Sequence, residues 1–412
     1  MIQLLHKIFL VSLVLSLSSL SIELSFITSI VVLMFCTTKM INPHVLVFSL
    51  LILVVNIIGF FSTNWFEHTS YDLLKDIIYF IRPLIVLLAS YFVVKKINTL
   101  NYVFNIVVII GLFFAVKHLL ILILNSGSII TYLDIRRLGG KHNHVELIAL
   151  IFILFTPFVS VYKKRMRIIK IVLLVSILLY ISRTMFLVFL IFYMAYKGYL
   201  ILNRRFFKGV LILGLASIIF GLVISNIDTT RDSVGINQFI YKTQNSFSEL
   251  FAPLDINEVK KDRRLLWEHW RAYEALKAIE QTTESGVLAW LFGNGYGSQV
   301  DLGTYVYLDG NRFTEVPSIH NGYVYILFKT GILGLGFYVL SVLIMFFTHQ
   351  KSNPRHAVLN NMIIASCLYL IFTSFVVTGF FRVGEFSMFL FGILLATRDK
   401  LRYDESYIPS IK

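Results

Sequence analysis

Long apolar runs, parted by short polar loops, recur from one end of this chain to the other. No other feature limits the fold as strongly. A bilayer offers no water to backbone N–H and C=O groups, so a crossing segment must satisfy them within itself, as a helix does. Twelve runs qualify: 8–22, 24–38, 44–62, 77–94, 102–124, 144–162, 168–181, 184–200, 209–225, 332–348, 358–379 and 386–398. They predict an all-α polytopic membrane protein of about 12 transmembrane helices, with one large external loop domain between spans nine and ten. The chain then divides into the first nine spans (1–225), the external loop with interfacial helices (226–331), the last three spans (332–398) and a tail (399–412). Composition agrees, since 57% hydrophobic residues against 15% charged, and a mean hydropathy of +0.78, exclude a soluble domain.

The net charge of +14 invites a nucleic-acid reading, but its distribution argues for topology instead. With the N-terminus inside, the inner loops hold Lys39, Lys95-Lys96, the Lys163–Lys170 cluster, Lys197 with Arg204-Arg205-Lys208, Lys351 with Arg355, and Arg398-Lys400-Arg402. Every dense basic loop is therefore cytoplasmic, as the positive-inside rule requires. Both termini lie inside by this count, the 226–319 segment lies outside, and no nucleic-acid partner is expected. The run from Ile8 imitates a signal peptide but lacks a small-residue cleavage site, so it reads as the first span. Cys36 and Cys367 sit inside apolar runs, which leaves no disulfide framework or zinc site.

Against that topology the exceptions stand out. Arg136, Arg137 and Lys141 precede span six, Arg183 separates spans seven and eight, Arg382 separates spans eleven and twelve, and Arg82 lies inside span four. Any one of them reads as a loop cation or a snorkelling side chain. Gathered at one membrane face beneath a long external loop, they suit a lipid-linked phosphate or diphosphate, whose oxygens the planar guanidinium grips in pairs.

The external segment is polar and weakly patterned to Lys261, then Asp262–Leu276 reads as a helix rich in tryptophan and arginine. Alternating glycines follow in Gly293-Asn294-Gly295-Tyr296-Gly297, read as a tight turn back towards the membrane. No strand precedes them, so they are not a dinucleotide fingerprint. His320-Asn321 then opens an apolar helix that Gly331 and Gly334 interrupt, giving a short surface helix, a bend and a span. His320 is thereby held at the mouth of the membrane domain. No P-loop, nucleophile motif or metal cluster appears, and His142 and His144, two apart, would not share a helix face. Glu146 reads as a helix N-terminal charge. A histidine takes a proton from a hydroxyl near neutral pH. External arginines hold a diphosphate and stabilise its charge as it leaves. The alternative for His320 is a capping or structural role.

Four stretches resemble the O-antigen ligases and polymerases of bacterial surface glycan assembly. Arg137-Leu138-Gly139-Gly140-Lys141-His142-Asn143-His144 resembles that family's arginine-and-asparagine segment before a span, without its proline. Ser182-Arg183-Thr184 resembles its Ser-Arg-Gly turn, with threonine for glycine. Arg263 to Trp267, with Phe292–Gly297, resembles its Arg-x-x-x-Trp and Gly-x-Gly elements. His320-Asn321 with Gly331 and Gly334 resembles its His-Asn signature, the most specific of the four. The likeness spans roughly residues 130–345 and includes the order of the elements and the topology.

The resemblance implies a metal-independent, cofactor-free membrane glycosyltransferase of the GT-C kind in the bacterial cytoplasmic (inner) membrane. Its donor would be a glycan on undecaprenyl diphosphate, and its acceptor a second glycan or lipid A core. Membrane lipids, a chain-length regulator and a flippase would be its other partners. His320 matches the family's catalytic histidine, while Arg137, Arg183 and Arg263, or Arg264 in an adjacent register, match its diphosphate-binding arginines. Arg136, Lys141, Asn321 and Arg382 are supporting candidates. The expected reaction is inverting polymerisation of lipid-linked repeat units into O-antigen, capsule or exopolysaccharide. Transfer of a finished glycan by a ligase is the first alternative, and a carrier or flippase for the same lipid-linked sugar the second. A purely structural scaffold leaves the outward arginines unexplained, and no inverted pair of broken helices marks a transporter.

Overall fold

A computed structural model describes the chain except residues 19–20, 129–133, 136–137, 139, 141, 161–164, 230–236, 238–239, 242, 245–255, 309, 351–355, 382–385 and 407–412. It likewise leaves aside the side chains of 205, 212–213, 216–218, 220–221, 224–225, 257–258, 261, 264, 308 and 403–406. The fold is mostly helical, as the apolar runs predict. In chain order come α1 (Ile2–Ser18), α2 (Ile22–Cys36), α3 (Pro43–Phe61), α4 (Ser70–Lys96), α5 (Leu100–Leu124) and α6 (Asn143–Phe155). Then follow α7 (Met166–Leu179), α8 (Arg183–Tyr196), α9 (Arg204–Ser225) and four shorter helices, α10 (Ile256–Lys261), α11 (Arg263–Glu268), α12 (Trp270–Glu284) and α13 (Val287–Phe292). A hairpin of β1 (Val300–Leu308) and β2 (Asn311–Val316) precedes α14 (Gly322–Thr348), α15 (Ala357–Val376) and α16 (Ser387–Ser406).

Five of these helices, α3, α4, α5, α14 and α15, are long and apolar enough to cross a membrane. α4 and α15 are buried along most of their apolar length, whereas less than half of that of α3, α5 and α14 is fully buried. The first two therefore form the centre. α4 packs against α2, α3 and α16, and α15 against α8, α14 and α16. α5, α6 and α7 pack on one another as a second group. The outward faces carry large apolar side chains such as Phe61, Phe113, Leu124, Leu211 and Phe347, which suit a lipid surround better than water.

Helix starts follow familiar chemistry. Asn42, Thr69 and Asn321 each place a side-chain oxygen on a first-turn N–H of α3, α4 and α14. At the end of the bundle formed by the start of α3 and the end of α4, Asp399 of α16 ties the group together. It accepts from the Asn42 amide at 2.5 Å and from the Tyr91 hydroxyl at 2.5 Å.

Two local expectations change. The helix anticipated over Asp262–Leu276 bends at His269 into α11 and α12, with the Trp267 and Trp270 rings 5.4 Å apart at the bend. The bend turns Tyr273, Glu274, Ala278 and Thr282 inward while Trp267 stays exposed. The segment between α9 and α14 is also not wholly helical, because β1 and β2 pair antiparallel, with an irregularity between Asp301 and Val306. Val300, Leu302, Val306 and Val316 are buried while Tyr307 and Phe313 face out. The hairpin is fixed to α12 by the Tyr273 hydroxyl, which donates to the Leu302 carbonyl at 2.5 Å, and by Gln281, bonded to Gln299 and Asp301.

Candidate functional site

The site is built around the kink in α14. Gly331 leaves helical geometry there, with φ 66° and ψ −173°, a conformation costly for any residue with a Cβ. Such a bend strips carbonyls on its N-terminal side of helical partners. The Phe328 and Lys329 carbonyls instead accept from the Asn294 and Gly295 N–H groups, at 2.8 and 3.1 Å. The glycine loop after α13 thus lies directly on the broken helix. A Cβ at Gly331 would overlap the Leu291 carbonyl, and one at Gly293 would overlap the backbone of Lys329 and Thr330. The expected bend is present at Gly331, whereas Gly334 continues the helix against the Thr330 side chain.

This loop does more than turn back. Tyr296 is buried, donating its N–H to the Thr63 hydroxyl at 2.8 Å and its own hydroxyl to the Asn56 carbonyl at 3.2 Å. Its ring joins Phe80, which also meets Tyr325 and Phe381. Beneath the loop, Lys329 donates to Asp76 Oδ2 at 2.5 Å and to the Ser298 carbonyl. Asp76 Oδ2 also accepts the Gly297 N–H at 2.8 Å, while Oδ1 accepts the Tyr325 hydroxyl at 3.4 Å. Lys329 and Asp76 are both buried, so this ion pair is shielded from water and holds α4, the loop and α14 in one arrangement.

His320 immediately precedes α14 on the far side of Asn321. One carboxylate oxygen of Glu274 on α12 accepts from both its backbone N–H, at 2.5 Å, and its Nδ1, at 2.7 Å. A carboxylate oxygen so placed can only accept, so Nδ1 carries a proton and Nε2 of the neutral ring keeps its lone pair. Glu274 is buried, with its side chain 1% exposed, whereas the His320 side chain is 49% exposed. The ring is therefore anchored on one edge and open on the other. That is the disposition of a general base oriented by a buried carboxylate. Nearby, burial pushes the Tyr273 phenol up, with the charges of Glu280 and Asp301 adding to the effect.

The other expected residues are distributed as follows. Asn321 caps α14 through the Tyr323 and Val324 N–H groups, at 3.0 and 3.2 Å, so its side chain is spent on the helix start. Arg263 is exposed, and its guanidinium lies over the Tyr305 ring at 4.6 Å, with Arg312 over the same ring at 4.2 Å. Arg183 is the first residue of α8, half-buried, just past Ile181, whose φ of 45° is unusual for a β-branched residue. Neither Arg183 nor Arg263 bonds His320, whose partner among the described residues is Glu274. Arg82 is buried in α4. Arg136, Arg137, Lys141 and Arg382 lie outside the described residues, as does the side chain of Arg264. His142 and His144 part company: His142 stacks on Phe114 at 4.1 Å, and His144 Nδ1 lies 3.0 Å from the Tyr369 hydroxyl.

Sequence reasoning missed Glu274, Asp76 and Lys329. Lys329 stood in plain view as a cation in an apolar run, which is a functional or structural flag by default. Glu274 carried no signal, being one acidic residue on a mixed helix. Comparison with family models and with curated proteins returns no match to this chain.

Proposed function

We propose that the chain is a polysaccharide polymerase with twelve spans and one external loop domain, acting at the outer face of the bacterial cytoplasmic membrane, with both termini inside. The observation that carries this reading is the His320 ring, anchored through Nδ1 on buried Glu274 just before the kinked helix, with its side chain 49% exposed. Nε2 takes the proton of an acceptor sugar hydroxyl as its oxygen attacks the anomeric carbon of the donor. The carbon–oxygen bond to the diphosphate breaks on the opposite side, the centre inverts, and undecaprenyl diphosphate departs with the electron pair. Arg183 and Arg263, with Arg137 and Arg264 as further candidates, neutralise that leaving group. The imidazolium returns its proton to solvent through the exposed edge.

The surface-glycan profile of cells lacking the gene, beside cells carrying His320→Ala, tests this. A polymerase leaves single repeat units on their final acceptor and removes long chains in both strains. Long chains held on the carrier lipid would assign ligation instead. An unchanged profile in the His320→Ala cells would remove the catalytic histidine and return the carrier reading.

A further inference from the structure

A second constellation of titratable groups lies in the α5–α6–α7 group, apart from His320 and its neighbours. Glu146 on α6 is 0% exposed. Its Oε2 accepts from the Ser176 hydroxyl at 2.5 Å and its Oε1 from the Tyr180 hydroxyl at 2.8 Å, both from α7 or its end. Among the described residues no Lys or Arg side chain bonds it. His118 on α5, 2% exposed, places Nδ1 2.7 Å from the same Ser176 oxygen. Its ring lies 4.0 Å from that of Tyr180.

The donors and acceptors fall into one order. Ser176 has a single proton, and that proton goes to the carboxylate, so Nδ1 of His118 must donate to the serine. Nε2 of His118 is then a lone-pair acceptor, and it is buried without a hydrogen-bond partner among the described residues. A buried carboxylate with no cation bonded to it among the described residues is costly to keep charged. A buried imidazole lone pair with nothing to accept is likewise unspent. One added proton resolves both.

We propose that Glu146, Ser176 and His118 form a proton-binding relay buried in the helical bundle. A proton arrives at Nε2 of His118, the Nδ1 proton passes to Ser176 Oγ, and the serine proton passes to Glu146 Oε2. The carboxylate becomes a neutral acid, the imidazole ends as its other neutral tautomer, and one proton is bound with no net charge left on the ring. Chains of carboxylate and histidine inside membrane domains serve as such relays elsewhere. Apart from Tyr180, the other described charged and imidazole groups on these helices do not bond Glu146 or His118: Lys117 is exposed over the Phe114 ring, Arg167 and Lys170 lie in the first turns of α7 exposed and half-buried, His142 stacks on the Phe114 ring, and His144 faces Tyr369. Arg183, just past Tyr180, does not bond Glu146 either. The inference stands whether or not the chain transfers sugars.

Infrared difference spectroscopy on the full chain in lipid nanodiscs, titrated from about pH 5 to about pH 9, reads the site directly. The expected result is a protonated-carboxyl band that grows as the pH falls and is absent from Glu146→Gln. Ser176→Ala should keep the band but slow its rise after a pH jump by at least about tenfold, because the bridge is cut. Three results would overturn the proposal: no Glu146 band at any pH, a band indifferent to pH, or an unslowed rise in Ser176→Ala. Should Glu146→Gln fail to fold, His118→Gln takes its place, and an unchanged band and rate in that variant would be equally decisive against the relay.

Discussion

Replacing Lys329 by methionine should release the glycine loop from the helix bundle, by an amount the geometry fixes. The Lys329 side chain is 0% exposed and that of Asp76 5%, so no solvent screening softens the change. Removing one member of such a pair leaves the other charged and buried, at a cost of about 3–5 kcal/mol. Asp76 also holds the Gly297 N–H, so the cost falls on the loop. Each 1.4 kcal/mol is roughly tenfold in an opening equilibrium, which puts the change at about 10²- to 10³-fold or more. Amide hydrogen exchange in nanodiscs measures this locally, peptide by peptide. The Gly295, Tyr296 and Gly297 amides should exchange faster by that factor in Lys329→Met, while the Leu147–Ile151 amides of α6 keep their rates. Adding Asp76→Asn should recover most of the protection, because the amide oxygen still accepts from Gly297 and no charge is stranded. Unchanged loop exchange in the single variant, or a double variant no better protected than the single, would refute the argument.

Glu274→Gln keeps an acceptor oxygen but loses the charge and allows the amide to turn, freeing the His320 tautomer. Transfer should slow by about 10²- to 10⁴-fold, the usual worth of a positioned general base, with donor binding intact; equal loss in both would mark Glu274 as structural. Gly331→Ala sets a Cβ against the Leu291 carbonyl at a positive φ, at a strain cost of at least about 1–2 kcal/mol. Its thermal unfolding in detergent should fall clearly below that of Gly336→Ala, where the added Cβ meets open space. Because burial raises the Tyr273 phenol above its ordinary value of 10.0, the fold favours the neutral form. That contribution is complete below pH 10.0 and is lost as pH climbs through the raised value. Tyr273→Phe should remove this alkaline destabilisation of the hairpin, and a limb that survives the substitution would count against it. Arg183→Lys should impair transfer through loss of the planar fork, and full activity there would make Arg183 a snorkelling cation.

The bundle was legible because hydrophobic run length is a local property. Each expected run overlaps a helix, and the caps at Asn42, Thr69 and Asn321 are residue types that announce themselves. The kink at Gly331 was legible for the same reason, since glycine amid apolar helix formers marks a backbone exception. The hairpin has only a short local signal: Tyr305-Val306-Tyr307-Leu308 before Asp309-Gly310 carries alternation and a turn dipeptide, set between helix-forming stretches. What no local pattern could give is pairing at a distance. Glu274 meets His320 across 46 residues, and Ser176 meets Glu146 across 30, through side chains whose neighbours in sequence say nothing of their partners. Glu146 is the clearest case. Its place at a helix start suggested a charge for the helix end, yet the fold closes it in among hydroxyls.

The union of Asp76 with Lys329 also sets a clock on biosynthesis. The two are 253 residues apart, and Tyr296 lies 240 residues from the Asn56 carbonyl it binds. At about 5–20 residues per second, the ribosome needs roughly 10–50 s to deliver the lysine after the aspartate. Through that interval α4 waits in the membrane with an unmatched acid and an empty berth for Tyr296. The nascent chain is therefore most exposed to quality-control proteases and to misinsertion between those two moments. A polypeptide stalled before residue 329 should be a poor survivor, and one that carries Lys329→Met through to α16 should still be degraded faster than the unaltered chain.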